Sequence, residues 1–199
     1  FIGFAPSFYL LQIVSFPRPN PPLTAMTMTH GLVFTAWLAI FYAQTRLIAA
    51  GRRDIHRKLG VIGFGMAVTM VPIMYLTAMH AIPRGMSPQF IDAVGWAAVP
   101  LLAIPPIALM LVMGWRHRMT AQTHKRFMLL ATLMMLEPGL GRWPIFPPNL
   151  AGHVASGIAS LAFVIPLILW DRKTIGRLHW ATKLGLAAMA FGYFARYLV

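Results

Sequence analysis

The chain has 199 residues, of which 58% are hydrophobic and 11% charged, with a mean hydropathy of +0.68 and a formal net charge of +13. That leaves too little polar surface to cover a soluble globule of this size, so the composition points to a bilayer. The seventeen Lys and Arg are spread over short segments between apolar runs, which sets nucleic acid aside as a partner, and the lack of Cys excludes disulfides, iron–sulfur clusters, thiolate zinc and thioether-linked haem.

A membrane-spanning helix needs about 20 predominantly apolar residues. In chain order, six such runs are predicted, over residues 28–50, 59–82, 90–114, 126–143, 150–170 and 179–199. The apolar stretch from Phe1 to Val14 is too short to cross, and it is read as the outer end of a seventh helix, with a cleaved signal peptide as the alternative. The expected fold is therefore all-α, an integral membrane helix bundle of six spans plus the end of a further one, forming one polytopic domain over residues 1–199.

Orientation follows from the Lys and Arg near span ends. One side carries Arg46, Arg52, Arg53, Arg57, Lys58, Arg116, Arg118, Lys125, Arg126, Arg172, Lys173, Arg177 and Lys183, and the other only Arg18, Arg84, Arg142 and Arg196. This asymmetry of 13 to 4 places the basic loops in the cytoplasm of a bacterial inner-membrane protein and the C-terminus outside. The outer connections, Phe16 to Pro22, Ile82 to Phe90 and Trp143 to Asn149, are rich in Pro, as stiff turns should be. Within the spans Pro72, Pro100, Pro105, Pro106, Pro138 and Pro166 should bend or break their helices. Gly152, Ser156 and Ser160 form a small-residue stripe suited to close helix approach, and Gly60, Gly63 and Gly65 are assigned to packing too, since no strand precedes them as a nucleotide-binding loop would need.

Three basic histidine segments open apolar helices: Ile55-His56-Arg57-Lys58-Leu59-Gly60, Thr123-His124-Lys125-Arg126-Phe127-Met128, and Arg177-Leu178-His179-Trp180. The first two, together with His30, Gln44 and Gly51 before them and Arg142 after, resemble an uncharacterised family of bacterial predicted membrane proteins. In that family a first-helix His, a His-Arg-x-Leu-Gly helix start and a His-basic-basic-aromatic-Met start recur. Phe127 stands where its members often carry Trp. The likeness covers roughly residues 28–142, and it implies topology rather than activity. A looser likeness is to dihaem b-type cytochromes, which place histidines near both membrane faces of a helix bundle, and it implies haem b as the cofactor.

By depth the histidines fall into two layers. At about 1.5 Å of rise per residue, His30, His80 and His153 lie near outer span ends, and His56, His124 and His179 near inner ones. Ligation by paired imidazoles would use His56 with His124 inside, and two of His30, His80 and His153 outside. Arg57, Lys58, Lys125 and Arg126 would then meet haem propionates or, in the alternative, anionic lipid headgroups. Glu137, the only Glu, lies in an otherwise apolar helix with Arg142 five residues on. It is read either as half of a structural ion pair or as part of an outer proton, metal or quinone-headgroup site with His30, His80, Arg142 and His153. No Ser-His-Asp set, paired acid/base carboxylates, His-Glu-x-x-His run or phosphate loop is present.

The expectation for function is electron transfer by a haem-binding membrane protein. The alternatives are a non-catalytic, lipid-organising accessory of a larger respiratory or photosynthetic membrane complex, and a transporter using Glu137 as its proton-coupled group.

Overall fold

The computed structural model describes residues 2–10, 13 and 23–197, and these contain helices and turns with no strand. Arg18, the Phe16 to Pro22 connection and the last two residues of the sixth predicted span lie outside the described residues. Eight α-helices follow in order: α1 (Ala25–Ala49), α2 (Arg53–Ala81), α3 (Ala93–Arg116), α4 (Ala121–Met134), α5 (Glu137–Leu140), α6 (Leu150–Ala162), α7 (Ile165–Ile175) and α8 (Trp180–Phe194). Short helical turns lie at Ile2–Phe4, Ala5–Tyr9, Ile82–Arg84 and Ala195–Tyr197.

Four stretches are long and apolar enough to cross a membrane: Ala25–Ala49, Arg53–Arg84, Ala93–Arg116 and Leu150–Ile175. They match the first, second, third and fifth predicted spans. The fourth and sixth fall on shorter helices. α4 has 14 residues and α8 has 15, or about 21 and 22 Å against a hydrocarbon core of about 30 Å.

Two of the predicted spans are interrupted at their prolines and two helices run on through theirs. Pro72 lies inside α2, and Pro100, Pro105 and Pro106 inside α3, each helix running on through them, a tolerance common in membrane helices. Pro138 and Pro166 instead stand in the first turn of α5 and α7. A first-turn N–H has no intrahelical partner to lose, so proline starts a helix there at no cost.

The chain divides into two compact units, one the α1–α2 hairpin up to His80, the other drawn from the rest of the chain. In the hairpin the reversal falls at Gly51, whose φ of 72° lies in the left-handed region open to glycine. α2 buries Gly63, Ala67, Met70, Met74 and Ala78 along one helical stripe. Gly63 lies against the Ile40 side chain and Gly60 beside the Gln44 amide, which makes α1 and α2 antiparallel, while Gly65 faces open space.

In the larger unit α3, α4 and α8 pack on one another. Phe127, Leu130, Ala131 and Met134 of α4 meet Ile107, Met110 and Leu111 of α3 and Ala181 and Met189 of α8 in the core. Gly185 and Gly192 of α8 lie so close to Leu130 and Met134 of α4 that a Cβ at either would overlap those side chains. The stripe on α6 is buried as expected, with Gly152, Ser156 and Ser160 inside, and α6 packs on α5 and α8.

Candidate functional site

Two imidazoles are fixed by the C-terminal end of α3. A helix leaves its last carbonyls without intrahelical donors, and here His117 Nδ1 meets Met113 O at 2.9 Å while His124 Nδ1 meets Gly114 O at 2.8 Å. A carbonyl only accepts, so Nδ1–H is the donor in both rings. This is the arrangement in which histidines commonly serve as metal ligands, the carbonyl fixing tautomer and ring direction.

Beside them lies a fully buried ion pair. Arg126 is 1% and Asp171 0% exposed. Arg126 donates to Asp171 Oδ1 from Nε at 3.0 Å and again from Nη2, and its Nη1 donates to the backbone and side-chain oxygens of Gln122 at 2.7 and 2.9 Å. Asp171 Oδ2 accepts from the His179 backbone N–H at 3.0 Å and the Thr182 hydroxyl at 2.6 Å. One carboxylate thereby ties α4 to α7 and to the start of α8. His179, in the α7–α8 connection, caps α8 by accepting the Ala181 N–H on Nδ1 at 3.1 Å. Burial and the nearby Arg126 guanidinium hold its imidazole below the ordinary value, in the neutral form that cap requires. Trp180 closes this end, its ring 5.4 Å from His117 and 5.2 Å from Phe127.

At the other end of α4, Glu137 is 6% exposed in the first turn of α5. The Ser156 hydroxyl of α6 lies 3.2 Å from its Oε1. Arg142 donates to the Pro138 carbonyl and lies with its guanidinium 4.7 Å above the Phe4 ring. His153 of α6 sits edge-on to Trp96 at 4.8 Å and 5.4 Å from Phe90. Asp92 caps α3 by accepting the Gly95 N–H at 2.7 Å.

The remaining candidates belong to the hairpin. His30 stacks on Phe34 at 4.3 Å, and one ring nitrogen each of His30, His56 and His80 is withdrawn from solvent. For His80 Nε2 and the Gln44 side-chain oxygen, no hydrogen-bond partner is found among the described residues. Arg57 and Lys58 are exposed at the start of α2. Lys125 is exposed on α4, its ammonium 5.8 Å from the Trp170 ring. Arg126, expected beside them as a headgroup or propionate contact, is instead inside the Asp171 network.

Among the described residues no group of three or more His, Cys, Asp or Glu is placed to hold a metal ion, whereas axial ligation of a haem needs only two imidazoles. Sequence reasoning missed Asp171, Thr182 and His117. Asp171 carried a signal, being one of only four acidic residues and set in an apolar run. No family model, curated protein or solved structure matches the chain.

Proposed function

We propose that the chain is a multi-pass bacterial inner-membrane protein that binds haem b through its histidines and transfers electrons, with the basic loops in the cytoplasm and the C-terminus outside. The observation that carries this reading is the His124 imidazole, whose Nδ1–H donates to the Gly114 carbonyl at the end of α3, which fixes the ring's tautomer and direction. The further candidate ligands are His153 in the larger unit and His30, His56 and His80 in the hairpin. Exposed Arg57, Lys58 and Lys125 supply the cations that propionates need. The haem iron would supply one-electron chemistry, and the protein sets ligand direction and burial.

The experiment is an optical spectrum of protein purified from haem-replete cells. A Soret band that shifts on dithionite reduction is expected, and His124→Ala should remove part of it while the circular dichroism stays helical. A colourless, folded preparation would overturn the reading. The second reading, an accessory of a larger membrane complex, is favoured by α1, a 25-residue apolar helix in which Trp37 is the only fully buried side chain among the described residues.

A further inference from the structure

Between α3 and α8 the larger unit has an open groove of about 420 Å³ lined by Pro105, Pro106, Leu109, Leu184, Ala188 and Phe191. Every lining side chain is apolar, so a charged or strongly hydrated ligand has nothing to bind there. The helices give the groove a direction. On α3, Pro105, Leu109, Val112 and Arg116 follow at four-, three- and four-residue steps, which puts them on one face, and Leu109, Val112 and Arg116 are exposed. On α8, Trp180 precedes Leu184, Ala188 and Phe191 on the matching face. The His117–Trp180 ring contact at 5.4 Å brings the end of α3 and the start of α8 together. Beyond the groove, whose lining ends at Leu109 and Leu184, the same two faces continue to exposed Arg116 and Lys183 and the half-exposed Trp180 ring.

The dimensions match one leaflet. From Pro105 to Arg116 is 11 residues, about 16 Å of rise, or half the hydrocarbon thickness of about 30 Å. An apolar track of that length ending in two cations and an interfacial Trp is complementary to a molecule with a long hydrocarbon chain and an anionic head. Asp171, the acid at this end of the unit, is already held by Arg126 and leaves these cations uncompensated.

We propose that this groove binds one anionic phospholipid, an acyl chain lying along Leu109, Ala188 and Phe191 and the phosphate on Arg116. The inference rests on the membrane placement proposed above and is independent of haem.

Native mass spectrometry of the detergent-purified protein, with phosphatidylglycerol or phosphatidylcholine of identical chains added, tests it. One phosphatidylglycerol per chain should be retained in preference to phosphatidylcholine. Arg116→Gln, a change at an exposed position, should weaken retention about five-fold, and Ala188→Phe, which fills the groove, should abolish it. If Ala188→Phe does not fold, Leu109→Trp at the exposed wall serves the same purpose. Inorganic phosphate at millimolar concentration should not displace the lipid. Equal retention of the two lipids, retention unchanged in both variants, or displacement by phosphate alone would overturn the proposal. Recovery of the protein in the soluble fraction would instead refute the membrane reading on which it rests.

Discussion

Asp171 and Glu137 are the buried acids at the two ends of α4, and the protein holds them by different means. Asp171 uses both oxygens, accepting twice from Arg126 and once each from the Thr182 hydroxyl and the His179 backbone N–H. Its charge is opposed by a cation that is itself buried, and the pair joins three helices. Glu137 accepts from the Ser156 hydroxyl on one oxygen, and the charge of Arg142 acts on it from a guanidinium that also donates to the Pro138 carbonyl and lies over the Phe4 ring. The four hydrogen bonds to Asp171 fill its lone-pair positions and four of the five Arg126 N–H groups are engaged, so the basic end is pinned.

The largest expected effect tests the pinned end. Asp171→Ala leaves the Arg126 guanidinium buried without its counter-charge, a change that costs about 3–5 kcal/mol in comparable pairs. Thermal unfolding in detergent should show that loss, and the Arg126→Leu/Asp171→Leu double change should recover much of it, because no uncompensated charge remains. A single variant within about 1 kcal/mol of the wild type would erase the distinction between the two ends.

Smaller changes are expected at Glu137. Ser156→Ala removes a hydrogen bond to a buried acid and should cost about 1–3 kcal/mol. Arg142→Leu removes the cation that acts on Glu137 and, because that side chain is exposed, should cost less than about 1 kcal/mol. If Arg142→Leu proves the costlier of the two, Arg142 rather than Ser156 neutralises Glu137, and this end is a second structural pair. Should Glu137→Gln leave stability unchanged but alter the haem spectrum, the acid would belong to the outer histidine site.

The two ends also differ in how far they could be read from sequence. Glu137 was conspicuous as a lone Glu in an apolar run, and the Gly152-Ser156-Ser160 stripe that packs beside it repeats at helical spacing, a local pattern. Arg126 looked like one more basic residue in a His-Lys-Arg helix start, because its partner lies 45 residues away and no local period connects them. The separation of α4 from α5 is legible in the sequence, since it falls at Met135 and Leu136, directly before Pro138, where the helix is expected to bend or break. Apolar length was legible because it is additive along the chain. α2 and α3 run on through their prolines, because one lost N–H does not end a long membrane helix.

The smallest expected effect is acid sensitivity at the pinned end. His179 caps α8 only while Nδ1 is unprotonated, since a protonated ring cannot accept the Ala181 N–H. The charged groups facing it are Arg126, Lys125 and Arg177, which oppose its protonation, and Asp171, which favours it. With the folded-state value held below the ordinary 6.5, the unfolded chain binds the proton more readily. The cap's contribution is therefore whole above about pH 6.5 and is lost as the pH falls through the lowered value. An N-cap is worth about 1 kcal/mol, and Asn caps as well as His without titrating. The wild type should consequently lose about 1 kcal/mol relative to His179→Asn between pH 7.5 and about pH 5, with melting followed at each pH for both proteins. Parallel pH profiles would show that the cap is dispensable and that Asp171, through its bonds to the His179 N–H and Thr182, holds the start of α8 on its own.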